Sequence, residues 1–479
     1  MLKSLVSMSS LNLFKAAVQF GISTLVTLFV LPAEYGLITF SLPILQFIAL
    51  ISDMGLGSAI VRQQELSREE GGGAFSFALA VALAGALILA TSAWPIEWSS
   101  HLAGVAWVLL GLSVAVFFSI AAGVPRALLE RSLDYQTVAA IEGGAVVLAA
   151  GLCVALVLAG SGIWSVIGFH IALQTARACA FYWRSRNAMA FNWHWRKVIG
   201  LMTFGGWVLA TNVVNFAARN AQSLLIGAFL GATAVGLYGL AYQFMLLPLM
   251  ALAWPASGVL LATLSRLQGA AEARIQGVVL AVSQVTAVLI VPVMGWIVFG
   301  LAWPVTALLN PHWHAAIGLI ETLAPLGALQ ALAAYNGSVL LARGHGRLQF
   351  MLNMVSSLML LAGFVVSLRY GLVVFARVYL VVGGLATVVQ IAAKLWAAGI
   401  TPWQYVQALS VPVFATASGL AAAAVVGMHP AGWGQWAMAT GTYGGVVILF
   451  YALARGSIVG ALRELMASGR SAPVASSGG

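Results

Sequence analysis

Long apolar runs, separated by short polar links or by glycine and proline, make up nearly the whole chain. A helix that crosses lipid needs about 20 such residues, and the runs predict about fourteen of them. The expected spans are 9–31, 36–61, 74–93, 104–124, 139–160, 163–183, 200–230, 235–264, 276–300, 316–342, 347–368, 373–397, 405–427 and 434–454. The seventh and eighth are longer than one bilayer, so tilt or protrusion is expected there. The alternating segments of about 10 residues that mark a membrane β-barrel do not occur. The fold class is therefore all-α integral membrane.

Composition agrees. Charged residues are 7 % of 479, and apolar residues 62 %. Too few charges are present to cover a soluble surface, against roughly 25 % in soluble domains. The net charge of +10 sits in short loops with no nucleic-acid module around it, so it reads as topology. One set of alternate loops carries Arg62, Arg68, Arg126, Arg131, Arg184, Arg186, Arg196, Lys197, Arg266, Arg274, Arg343 and Arg347, whereas Arg369 is the lone basic residue of the other set. By the positive-inside rule, both termini are expected in the cytoplasm. Trp94, Trp98, Trp303, Trp313 and Trp433 fall at outer ends, where an aromatic belt is expected. Cys153 and Cys179 lie in apolar runs and are expected to be small buried residues, with no disulfide or metal role. No cleavable signal peptide is expected before the first span.

A weak repeat divides the chain. FVLPAEYGL at Phe29–Leu37 and FLGATAVGL at Phe229–Leu237 share Phe, Gly and Leu at an offset of 200 residues. Each closes one span and opens the next. The expected organisation is an N-terminal lobe of six helices (1–198), a parallel C-terminal lobe of six (199–400), two added helices (401–454) and a tail (455–479). The tail should begin with a short amphipathic helix and end in a disordered SAPVASSGG.

Any chemistry must come from charges inside the spans, which are costly in lipid. Lys15 and Arg219 lead the list. They lie 21 residues before Gly36 and 17 before Gly236, a difference of about one helical turn, which places them on one face at about 24 Å and about 16 Å from the outer ends of their helices. Together they are candidates for binding an anionic group. Asp53, in the glycine-rich stretch Ile51–Ser58, is a candidate for coupling or for pairing with a cavity cation. Glu321 and Arg377, near outer ends, are candidates for gating. Glu142 and Arg177, near inner ends, read as ordinary end-of-helix charges, and His170 as a core histidine. No P-loop occurs, and no long acidic outer loop of the kind used by membrane glycosyltransferases. A secondary transporter, with no enzyme activity and no cofactor beyond an H+ or Na+ coupling ion, is the expectation.

Four stretches resemble the polysaccharide-type flippases of the multidrug/oligosaccharidyl-lipid/polysaccharide exporter superfamily. They are Pro32–Gly36, Asp53–Ala59, Arg131–Tyr135, and Leu225–Gly227 with Gly236–Tyr242. The resemblance implies a two-lobed alternating-access transporter that flips polyprenyl-diphosphate-linked oligosaccharide across a bacterial inner membrane. Its partners would be that lipid, the membrane lipids, and the polymerase and chain-length proteins of the same pathway. Arg219 matches an arginine of the family's seventh helix. Three positions later, where the family often has an acid, this chain has Gln222. The rival readings are a multidrug or toxic-compound extruder, a lipid II flippase and a membrane glycosyltransferase or ligase.

Overall fold

The computed structural model describes residues 2–53, 56–63, 66–100, 102–192, 213, 216, 220–267, 271–427 and 432–470. The secondary structure there is helical throughout, in two compact units, Met1–Gly239 and Leu240–Gly479. The first contains α1 (Leu2–Phe29), α2 (Pro32–Asp53), α3 (Leu56–Arg62), α4 (Arg68–Ser100), α5 (Val105–Ala121), α6 (Gly123–Arg131), α7 (Tyr135–Leu158), α8 (Trp164–Ser185), α9 (Asn220–Leu230) and the start of α10 (Ala232–Pro248). The second holds the rest of α10, α11 (Trp254–Arg266), α12 (Glu272–Gly300), α13 (Ala302–Leu308), α14 (Ala316–Ala333), α15 (Asn336–Ala342), α16 (Gly346–Ser367), α17 (Leu372–Ala398), α18 (Pro402–Val426), α19 (Trp433–Leu453) and α20 (Arg455–Arg470).

Among the described residues, ten helical stretches are long and apolar enough to cross a membrane, and two shorter apolar helices, Phe14–Phe29 and Asn220–Leu230, accompany them. Their outer faces are apolar. On α16, Phe350, Met354, Val355, Leu358, Val365 and Val366 are all exposed, an arrangement that only a lipid solvent stabilises.

The eighth and tenth expected spans depart from a single regular helix. The second is helical over Pro32–Asp53 and Leu56–Arg62, with residues 54 and 55 outside the described residues, whereas the tenth parts into α14 and α15 at Ala334–Tyr335. In the eighth, a five-residue π-helical turn, Leu249–Ala253, separates α10 from α11. Pro248 and Pro255 flank that turn, and each removes a backbone donor, so the ladder is re-registered locally. Most of the seventh expected span lies outside the described residues, as do residues 471–479 of the tail. The preceding Arg455–Arg470 is helical as expected, and Gln284 of α12 donates to its Ser457 hydroxyl at 2.7 Å.

Two side chains depart from expectation. Trp313 is fully buried in protein and does not join a lipid-facing belt. Cys179 is exposed on α8, whereas Cys153 is buried as expected. Neither the apolar run around Cys179 nor the outer-end position of Trp313 tells whether the neighbour is protein or lipid.

The two segments that share Phe, Gly and Leu meet in the structure. A Cβ added to Gly36 would fall 1.8 Å from the Ala232 carbonyl oxygen, and one added to Gly236 would fall 1.9 Å from that of Pro32. Pro32 and Ala232, like Gly36 and Gly236, are 200 residues apart. The first turns of α2 and α10 thus cross backbone to backbone in a reciprocal contact, which requires both glycines.

The end of α17 is also closely defined. Gly399 takes a left-handed φ of 68°, and its amide closes the helix on Leu395 and Trp396. Thr401 and Gln404 then form a capping box, with Pro402 in the first turn of α18. Such reciprocal capping satisfies the free donors of a helix start. It sets Tyr405, one turn into α18, beside the last turns of α17.

Candidate functional site

The first unit gathers charges inside its bundle. Lys15 of α1 donates to Glu142 Oε2 of α7 at 2.5 Å. Arg177 of α8 donates through Nη2 to Glu142 Oε1 at 2.5 Å, and Arg126 of α6 reaches the same oxygen at 3.4 Å. Arg126 also pairs with Glu130, one turn along α6, at 2.7 Å. Glu142 is 2 % exposed, against 32 % for Lys15, 36 % for Arg126 and 18 % for Arg177. Arg177 Nη1 donates to Gln174 at 3.0 Å, while its Nε is buried without a partner. Three cations face two carboxylates, which leaves one net positive charge.

Helical spacing explains why these groups meet. Lys15, Ile22 and Val26 are spaced by 7 and 11 residues, as are Glu142, Ala149 and Cys153; both series trace one face of a helix. Val26, Ala149, Cys153 and Phe169 share one apolar cluster, with Ile22 and Leu173 packed against it. That packing holds α1, α7 and α8 together and carries their charges to a common point further along. At the start of α7, Leu133 takes a left-handed φ of 58°, and Asp134 caps the helix by accepting from Thr137 at 3.2 Å. Arg131 ties the same loop to the end of α3 through the Gln63 carbonyl at 2.9 Å. The Arg131–Tyr135 stretch is therefore a helix-starting device that sets the register of Glu142, two turns on.

Lys15 is thus brought together with Glu142 and Arg177, which sequence reading set aside as end charges. The signal for Glu142 was available: it continues the buried stripe of α7. Arg219 lies outside the described residues. Asp53 is the last residue of α2, and its side chain also lies outside the description. Glu321 of α14 borders a small apolar recess with Ile297, Leu301 and Ile320. Arg377 is exposed on α17. Glu321 and Arg377 belong to the second unit, and the Lys15 cluster to the first. Gln222, at the position of the family's acid, is buried and accepts from the Tyr238 hydroxyl at 2.8 Å. Among the described residues, no group of three or more His, Cys, Asp or Glu is placed to hold a metal ion.

The family model described as "Polysaccharide biosynthesis protein" matches residues 25–318. The succinoglycan biosynthesis transport protein ExoT of Rhizobium meliloti (strain 1021) is 30 % identical over 292 residues, which span 58 % of this chain and 59 % of ExoT. The lipopolysaccharide biosynthesis protein WzxC of Escherichia coli (strain K12) is 24 % identical over 343 residues, 70 % of this chain and 68 % of WzxC. Among solved structures, the lipid II flippase MurJ in its inward closed conformation superposes with a TM-score of 0.73 at 12 % identity, covering 96 % of this chain and 100 % of MurJ. An inward-facing multidrug resistance transporter of the MATE family gives 0.59 at 14 % identity, covering 81 % of this chain and 95 % of that one. These two likenesses establish the fold, that of a multi-pass helical transporter, and no more. With well over half of its length matched by the family model, the chain belongs to the polysaccharide biosynthesis protein family.

Proposed function

We propose that this protein is a flippase that carries polyprenyl-diphosphate-linked oligosaccharide from the inner to the outer leaflet of a bacterial inner membrane by alternating access. The observation that carries the reading is the surplus of positive charge around Glu142, inside a membrane-spanning unit. A diphosphate brings about two negative charges, and burying them requires opposing cations. Lys15, Arg126 and Arg177 supply donors that Glu142 holds in place until an anion competes for them. Arg219, on the helix related to α1 by the repeat, is assigned to the same anion. An extruder of cationic drugs would need the opposite balance of charge. The arginine-rich loops are assigned to the cytoplasm, with both termini there. The sugar-lipid is the proposed substrate, and the polymerase and chain-length proteins that use it are the proposed partners. An H+ or Na+ gradient is the proposed drive.

The test is polysaccharide export in a deletion strain complemented at matched membrane levels. The double variant Lys15→Ala, Arg177→Ala is expected to lower export by at least about tenfold, equivalent to losing one charge-assisted contact. Lys15→Arg, which keeps the charge, is expected to retain most of it. Arg219→Ala is expected to fall with the double variant. Unimpaired export by the double variant would overturn the assignment of the site.

A further inference from the structure

The second unit buries a lysine that the transport reading leaves unused. Lys394 lies one turn from the end of α17 and is 0 % exposed. Its neighbours Leu395, Ala398, Ile400, Tyr405, Leu332 and Tyr335 belong to one apolar core cluster. Nζ donates to the Leu332 carbonyl at 2.8 Å, to the Tyr405 hydroxyl at 3.0 Å and to the Ser283 hydroxyl at 3.5 Å. It also stands 4.6 Å from the centre of the Tyr405 ring. Among the described residues, no carboxylate is among its partners. Buried charges are ordinarily paired, because desolvation of a lone ion is costly.

The partner set suits both protonation states. An ammonium has three N–H donors and finds three neutral acceptors here. A neutral amine keeps two donors, for Leu332 and Ser283, and gains a lone pair. The Tyr405 hydroxyl can turn to donate to that lone pair, since a phenol serves as donor or acceptor. The Nζ atom thus finds a partner for each of its N–H groups, or for its lone pair, in either state. An arginine could not do this, as it holds its proton under all working conditions.

The site also touches a joint. Leu332 is in the last turn of α14, where carbonyls run out of intrahelical donors and the helix dipole favours a cation. α15 restarts at Asn336 after Ala334–Tyr335. The same break carries a hydrogen bond between Tyr335 and Thr286 of α12. A further bond joins Asn336 to Gln390 of α17 at 3.3 Å, and the Asn336 Oδ1 is buried without a partner. The ionisable groups in the apolar cluster around Lys394 are the phenols of Tyr405 on α18 and Tyr335 at the joint. On the same packed elements, Glu321 lies 11 residues before Leu332 on α14, Arg377 and Tyr379 lie 17 and 15 residues before Lys394 on α17, and Glu272 and Arg274 stand in the first turn of α12. Beyond them, toward the helix end, Arg343 after α15 bonds the Ala397 carbonyl at 2.9 Å and Glu272 of α12 at 2.7 Å. His345, ahead of α16, packs against Trp396.

We propose that Lys394 is a proton-binding site of the transport cycle, and that gain or loss of its proton tightens or frees the α14–α15 joint. The loaded ammonium binds the carbonyl end of α14 as a cation. Release of one proton to water leaves a neutral amine, and the joint loses that charge-assisted bond. The role in transport rests on the flippase reading above; the proton site itself does not.

Two measurements separate the two claims. First, thermal unfolding of the purified full chain in detergent is followed from about pH 6 to about pH 8 for wild type, Lys394→Gln and Lys394→Met. The gap between wild type and either variant is expected to change by at least about 2 °C across that range. Glutamine can still donate to Leu332, so a loss of folding in the methionine variant does not decide the matter. A gap that stays constant with pH overturns the site, whatever the substrate. Second, flipping of a fluorescent polyprenyl diphosphate bearing one N-acetylglucosamine is measured in proteoliposomes with and without an imposed pH gradient. The ratio of the two rates is expected to exceed about 3 for wild type and to fall to about 1 for Lys394→Gln, since an uncharged amide carries no proton to couple. An unchanged ratio in the variant overturns the role in coupling. A pH-dependent gap with no movement of the probe by wild type leaves the proton site standing and overturns the flippase reading.

Discussion

Glu142→Ala is expected to be the most destabilising single change in the first unit, at about 3–5 kcal/mol, the usual cost of removing one partner of a buried ion pair. Glu142 is 2 % exposed and accepts from three cations. Without it, Lys15, Arg126 and Arg177 repel one another with no carboxylate between them. Arg126 contributes least to the loss, because it is 36 % exposed and retains Glu130. Arg177 contributes most: it is 18 % exposed, and its Nε already lacks a partner. The measurement is thermal unfolding in detergent, with the double variant Glu142→Gln, Lys15→Met as its control. That double variant is expected to regain part of the loss, since it removes a cation with the acid that held it. A second readout separates structure from mechanism. Glu142→Gln frees positive charge for an incoming anion, so it is expected to bind a polyprenyl diphosphate more tightly and to release it more slowly. Were Glu142→Ala to unfold within about 1 kcal/mol of wild type, the value for an exposed pair, the cluster would be a solvated surface group and the proposed anion site would fail with it.

The spans themselves were legible because lipid imposes one rule, that every backbone group is satisfied within a helix. Their interruptions were not. Pro43, Pro95, Pro292, Pro325 and Pro412 all lie inside continuous helices, whereas Pro248 and Pro255 flank a re-registered turn. Each of these prolines removes the same backbone donor, so the local pattern does not separate the two outcomes. The same holds for the site. Lys15 stands out as a cation in an apolar run, but its acid is 127 residues away, and only the packing of α1 on α7 brings the two together. Lys394 resembles any cation near the end of a span. Its burial depends on α12, α14 and α18 closing over it, through contacts as far as 111 residues away in sequence. Gly36 and Gly236 were legible as a matched pair because glycine there answers a local demand, close approach, that no other residue meets.

That demand gives the second large effect. Gly36→Ala and Gly236→Ala are each expected to destabilise the first unit by about 1–3 kcal/mol or more, the range for inserting a methyl group where none fits. The added carbon would sit within 1.9 Å of a backbone carbonyl oxygen in either case. A flexible side chain could move aside; a helix backbone moves only as a body, so α2 and α10 must part along their first turns. The close carbonyl contacts that hold small-residue crossings together are lost with that movement. Because the contact is reciprocal, one parting relieves both clashes. The double variant is therefore expected to cost little more than either single one, a coupling that a double-mutant cycle reads directly. Gly151→Ala on α7 is the reference, since nothing lies within 4 Å of its added carbon, and alanine there favours the helix by about 1 kcal/mol. Unfolding temperatures that fell additively would mean that the two glycines answer separate constraints. The 200-residue relation would then be a coincidence of sequence, whereas non-additive loss would mark the α2–α10 crossing as the point through which the repeat's symmetry passes.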